Sequence, residues 1–238
     1  IVREDQGFSL SLHKDMPLGS GLGSSAASAV AGVFAANELM GRPLTQKELL
    51  PFAMEGERVA CGSAHADNVG PSLLGGFIII RSYDPLDIIQ IPTPSDLYAS
   101  IVHPQIEVNT KDARGILNKE ISLGTTITQM GNVAGLVAGL LLPDYELIGR
   151  SLEDVIIEPI RSILIPGFDE IKTRSKDAGA LGGGISGSGP SVFMLSKEES
   201  IAKNVESVMK EVYTKIGIDF NTYVTTINKE GVVVVSNS

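Results

Sequence analysis

The sequence predicts an α+β chain in two domains, and three observations carry that reading. Strand-like alternation and helix-like runs follow one another in mixed order, which suits two sandwiched layers per domain. A Pro92-Thr93-Pro94 turn divides the chain into residues 1–92 and 93–238. The 238 residues, 43% of them hydrophobic, suffice for about one or two packed cores.

Taken in order, Phe8, Leu10 and Leu12 alternate with Ser9, Ser11 and His13, the period of a strand with one buried face. The strand ends at Met16-Pro17. Gly19, Gly21 and Gly23, then Ser24-Ser25 and an Ala-rich run to Met40, predict a glycine loop opening into a helix. Thr45 and Glu48 form a capping box for a second helix to about Cys61, which Gly62 terminates. His65, Asp67 and Asn68 then read as loop residues. Strands are expected over 76–81, 88–91 and 99–103, separated by Asp84-Pro85 and the Pro-rich turn. Helices are expected over 111–117, 122–142, 152–164 and 168–177. Two short strands flank residues 182–189, a helix covers 200–216, and strands at 224–227 and 232–235 close the chain.

A formal net charge of −9 disfavours nucleic acid as a partner. Cys61, the one cysteine, has no internal disulfide partner and reads as a small buried residue; with no secretory signal, cytoplasm is the expected compartment. Two uncharged stretches, 16–37 and 121–143, do not read as membrane spans. Gly and Ser interrupt the first, and the apolar run of the second, 133–142, would rise about 15 Å as a helix against a hydrocarbon core of about 30 Å. Both are expected as buried helices. The opening Ile1-Val2-Arg3 carries no initiator Met or turn signal, so the chain reads as a fragment whose start is missing.

Eight of the 26 glycines fall at 19–23 and 182–189. Glycine permits positive φ and close approach to the main chain, so several N–H groups can converge on one anion, and the following helix start adds its own free donors. Phosphate is the natural guest. The loop is not a Walker A motif, because there is no Lys from Met16 to Asn37. It is not a dinucleotide fingerprint either, because the sixth position of G-x-G-x-x-G is Ser24. On its own, such a glycine-rich turn reads first as a tight turn capped by Ser24.

The whole string Pro17-Leu18-Gly19-Ser20-Gly21-Leu22-Gly23-Ser24-Ser25-Ala26-Ala27-Ser28 resembles the nucleotide-binding motif of the GHMP kinase superfamily. Residues 182–191 resemble that family's second glycine-rich motif. Cys61-Gly62-Ser63-Ala64-His65-Ala66-Asp67-Asn68-Val69, Leu73-Leu74-Gly75-Gly76-Phe77, residues 109–114, and Glu158-Pro159-Ile160-Arg161 with Ile165-Pro166-Gly167 look most like its homoserine kinase group. The resemblance implies a ribosomal S5 domain 2-like N-terminal domain, incomplete here, a ferredoxin-like C-terminal domain, ATP and Mg²⁺ as cofactors, and a homodimer. The implied acceptor is the hydroxyl of L-homoserine, in threonine biosynthesis. Another kinase of the superfamily, acting on mevalonate, a sugar or shikimate, and a nucleotide-binding regulator without catalysis remain the alternatives.

Residue by residue, residues 17–27 are the expected nucleotide contacts, and Ser25 and Glu57 the expected Mg²⁺ ligands, Glu57 being counted also as catalytic. Leu50, Ala53 and Ala60 share the helical face of Glu57, so its carboxylate either points inward or lies at the helix end beside Arg58. Ser25 is compatible with a cap as well as a ligand. By resemblance His65 and Asp67 help bind substrate, and Asn68 contacts the attacking hydroxyl with Asp67 as no obligatory base. Arg114 and Arg161 are candidates to clamp the substrate carboxylate with two hydrogen bonds, or are exposed helix arginines. Thr110 and Gly187 complete the expected substrate set.

Overall fold

The computed structural model describes residues 7–108 and 115–235. They form two compact units, one of residues 7–18, 23–91 and 228–235, the other of residues 19–22, 92–108 and 115–227. The division after Ile91 falls beside the Pro-rich turn, but residues 19–22 group with the second unit and residues 228–235 return to the first.

The first unit contains α1 (Ser24–Leu39), α2 (Gln46–Cys61), α3 (Ala66–Leu74) and an antiparallel pair, β1 (Phe77–Tyr83) and β2 (Leu86–Ile91). The expected capping box is formed: the Thr45 hydroxyl accepts the Glu48 N–H, and the Glu48 carboxylate accepts the Thr45 N–H at 2.8 Å. Helical spacings of three and four place Ala26 with Val30, Leu49 and Leu50 with Ala53, and Val69 with Leu73 in one core. Gly56 lets α1 and α2 approach, since a Cβ there would lie 3.1 Å from the Ala29 methyl. Residues 228–235 close this core: Gly76 N–H donates to Asn228 O, and Gln46 donates to Val232 O.

The second unit is built on β3 (Tyr98–Pro104), β4 (Gly182–Ile185), β5 (Val192–Ser196) and β6 (Phe220–Thr226), in the spatial order β4-β5-β3-β6, all neighbours antiparallel. Helices α4 (Leu123–Leu141), α5 (Tyr145–Ser151), α6 (Glu158–Arg161), a 3₁₀ turn at Ser162–Leu164, and α7 (Phe168–Asp177) lie between β3 and β4 in the chain. Helix α8 (Glu199–Ile216) joins β5 to β6. Strands and helices in this order with this sheet make the split βαβ arrangement of a ferredoxin-like domain. Val205, Met209, Val212 and Tyr213 of α8 share one face, and they bury it with Phe168, Ile171, Val192 and Met194.

Several expectations are corrected. Residues 8–12 form no strand: Phe8, Leu10 and Leu12 are exposed, and no described strand pairs with them, so alternation alone has no ladder to join. Residues 232–235 are likewise irregular. The supposed loop after Gly62 is helix α3, disguised by Gly70 and Pro71. The helix expected over 152–164 is instead α5 ending at Ser151, an irregular stretch in which the Asp154 carboxylate accepts the Ile156 and Ile157 N–H groups, and then α6. The glycines at 182–184 are themselves strand β4. Helix α4 is not buried: it packs on α5 through Gly135 and Gly139, while Leu123, Ile127, Met130 and Val133 are exposed. Among the described residues no helix is long and apolar enough to cross a membrane. The helix expected at 111–117 lies mostly outside the described residues, as do Ile1-Val2-Arg3 and the Cys61 side chain.

Candidate active site

In the first unit the site begins at the start of α1. Gly23 is the N-cap residue, left-handed at φ 78°, and no side chain caps the helix. Its carbonyl accepts the Ala27 N–H at 2.9 Å, so the N–H groups of Ser24, Ser25 and Ala26 are the donors without an intrahelical acceptor. A Cβ at Gly23 would lie 3.1 Å from Asn68 Oδ1, so glycine is what lets the Asn68 amide meet this turn.

The Ser25 hydroxyl donates to Glu57 Oε1 at 2.9 Å. Glu57 is only 3% exposed, which settles its orientation as inward; Arg58 pairs instead with Glu55 on the surface. His65 Nδ1 lies 3.5 Å from the same Oε1. The other oxygen, Glu57 Oε2, is buried with no hydrogen-bond partner among the described residues. A buried carboxylate oxygen left this way is costly unless something else satisfies it.

His65 is the N-cap residue of α3, and Asp67 and Asn68 stand in its first turn. The short helix therefore delivers three of the expected substrate residues on one rigid element. Sequence reasoning missed Tyr83 at the end of β1. Burial and then the charge of the nearby Asp67 push its phenol pKa up.

In the second unit, Gly19–Leu22 is stapled to the later glycine segment. The Ser186 hydroxyl donates to Gly21 O at 2.9 Å, and the Ser191 N–H donates to Ser20 O at 3.2 Å. The approach is tight enough that a Cβ on Gly21 would fall 2.3 Å from Ser186 O, and one on Gly187 2.9 Å from Gly21 O. Arg161 Nη1 donates to Gly187 O at 3.2 Å, which joins two of the expected substrate residues. Thr110 and Arg114 lie outside the described residues. Ser186, Ser191 and His103, whose ring bonds Ser191, were not legible as site residues, because the bonds from Ser186 to Gly21 and from His103 to Ser191 span 165 and 88 residues.

No group of three or more His, Cys, Asp or Glu suited to a metal occurs among the described residues. Mg²⁺ in phosphoryl transfer takes one or two carboxylates, with nucleotide phosphates and water supplying the rest. The unpartnered Glu57 Oε2 beside the Ser25 hydroxyl fits it.

A glycine loop stapled to a second glycine turn, and a helix start beside a buried carboxylate, suit an ATP-dependent small-molecule kinase of the GHMP type. Residues 1–76 match the GHMP kinases N terminal domain and residues 136–215 the GHMP kinases C terminal domain. The homoserine kinase of Chloroherpeton thalassium is 54% identical over 231 residues, covering 97% of this chain and 72% of the relative. That of Chlorobium phaeobacteroides is 53% identical, covering 95% and 71%. The crystal structure of homoserine kinase from Cytophaga hutchinsonii superposes with a TM-score of 0.90 at 60% identity, covering 92% of this chain and 69% of that one. The chain belongs to the homoserine kinase family of GHMP kinases.

Proposed function

We propose that this chain transfers the γ-phosphoryl group of ATP to the side-chain hydroxyl of L-homoserine, giving O-phospho-L-homoserine. The observation that carries the reading is Glu57, whose buried Oε2 has no hydrogen-bond partner among the described residues while its other oxygen accepts the Ser25 hydroxyl in the first turn of α1. Glu57 and Ser25 would hold Mg²⁺, which when bound neutralises phosphate charge. Main-chain amides of the loop within residues 17–27 take the nucleotide phosphates, with the first turn of α1 adding its helix N-terminus.

Asn68 orients the attacking hydroxyl. Its amide cannot take a proton, so its contribution is position, which suits a loose phosphoryl transition state. Asp67 and His65 bind the substrate, with Asp67 as no obligatory base. Arg161 faces the substrate carboxylate, together with Thr110, Arg114 and Gly187. The substrate oxygen bonds to the γ-phosphorus as the bond from that phosphorus to the β–γ bridging oxygen breaks, and the hydroxyl proton passes to an oxygen of the transferred phosphoryl group. A homodimer is part of the same reading.

The test is ATP turnover with L-homoserine, mevalonate, galactose and shikimate in parallel, with the product identified by ³¹P NMR. Phosphorylation of homoserine alone is expected; preference for another alcohol, or no transfer to any, overturns the reading. Asp67→Asn should keep kcat within about tenfold, because a true general base contributes roughly 10²–10⁴-fold. A larger kcat loss at unchanged homoserine affinity would make Asp67 the base.

A further inference from the structure

One buried titratable group plays no part in the chemistry above. His103 lies in β3, 4% exposed, and its Nδ1 is 3.2 Å from the hydroxyl of Ser191, itself fully buried. The sheet dictates the meeting. In the β3–β5 register Val102 pairs with Val192, so one further step along the antiparallel pair sets His103 opposite Ser191. Burial pushes the pKa of His103 down, which keeps the ring neutral and able to share one hydrogen bond with a hydroxyl.

Ser191 is a junction. Its carbonyl accepts the Ser186 N–H at 2.8 Å and its N–H donates to Ser20 O at 3.2 Å. Ser186 in turn holds Gly21 O through its hydroxyl and accepts the Gly189 N–H at 2.8 Å. Two consecutive carbonyls of the first glycine loop are thus tied to a turn whose last residue is fixed by His103. With its carbonyls pinned, the loop cannot rotate its peptide planes freely, and its amides keep one set of directions.

Resting on the nucleotide role proposed above for this loop, we infer that His103 is a positioning residue for nucleotide binding, acting through Ser191 on Ser20. It touches no reacting atom. A core histidine with a purely structural role would lower stability, or both substrate affinities, alike; a histidine that sets the loop alters the nucleotide constant alone.

The experiment measures Kd for a fluorescent ATP analogue with Mg²⁺, and KM for ATP and for homoserine, in His103→Leu, His103→Asn, Ser191→Ala and the His103→Leu/Ser191→Ala double variant. An Asn amide nitrogen can occupy the place of Nδ1, so His103→Asn should stay within about twofold of the parent. His103→Leu and Ser191→Ala should each weaken nucleotide binding about three- to tenfold, the range of one neutral hydrogen bond. Homoserine KM should stay within about twofold, and the double variant should be no worse than either single. Equal movement of both substrates, additive losses or unchanged nucleotide binding would overturn the inference. Should His103→Leu fail to fold, Ser191→Ala removes only one oxygen and decides the matter on its own. Failure of the parent protein to bind the nucleotide would sink the kinase reading and this inference with it, whereas a binding parent with unaffected variants sinks the inference alone.

Discussion

Two glutamates, one in each unit, are buried to nearly the same extent and treated in opposite ways. Glu158 of α6, 9% exposed, is bonded by the Lys172 ammonium, which also reaches Glu153 at 3.2 Å. Burial pushes the Glu158 pKa up, against the pull of Lys172. Burial also works against the Lys172 ammonium, but Glu158 and Glu153 outweigh it and hold its pKa above the usual lysine value. Glu57, 3% exposed, has among the described residues only a serine hydroxyl and a histidine ring on one oxygen and no hydrogen-bond partner on the other. A buried carboxylate with its own lysine is finished as a structure. One without is incomplete until a ligand arrives, and that difference separates a brace from a binding group.

The largest effect should come from breaking the brace. Lys172→Met strands Glu158 and should cost about 3–5 kcal/mol of stability by urea unfolding, most of it recovered when Glu158→Leu is added. Recovery failing in the double variant would mean the pair does more than satisfy itself. Glu57→Gln should do the reverse: kcat/KM should fall about 10²–10³-fold while the melting temperature holds or rises, because Oε2 has no hydrogen-bond partner among the described residues to lose. A destabilised but active Glu57→Gln enzyme would place Glu57 with Glu158.

Smaller still, Arg161→Lys keeps the charge and loses the fork. It should raise the homoserine KM by an amount equal to roughly 1.5–3 kcal/mol; an unchanged KM returns Arg161 to the surface. The gentlest test is pH. The folded-state pKa of His103 is depressed by burial, so its contribution is complete above the unfolded value of about 6.5 and is lost as pH falls below it. Between pH 7.5 and 5.5 the parent should lose more stability than His103→Asn; equal slopes would show that the ring does not titrate there.

What the sequence disclosed followed from short spacings. The inward face of Glu57 came from Leu50 and Ala53 at helical intervals, and the start of α2 from a side-chain pair three residues apart. Both glycine segments were visible because their backbone demands glycine wherever it occurs. The pairing of Ser25 with Glu57, 32 residues apart, and the staple of Ser186 on Gly21, 165 apart, have no local signal and needed the fold. Strand periodicity misled at residues 8–12, where an apolar alternation meets no described neighbour, and Pro71 hid α3 although Val69, Leu73 and Leu74 already shared one helical face.

The return of residues 228–235 to the first unit bears on anyone wishing to cut the gene into parts. Gly231 crowds so close to Leu73 that a Cβ there would sit 2.2 Å from its carbonyl oxygen, and Gly75 would meet Gly231 N at 2.5 Å. An excised fragment stopping at residue 91 would lose this closing tail and lay bare the edge of α3, inviting clumping. A fragment beginning at residue 92 would in turn lack Gly19–Leu22, and with them the carbonyls its serines hold. Each half is stitched from separate stretches of chain, so deletion mapping at one breakpoint would report damage rather than division of labour.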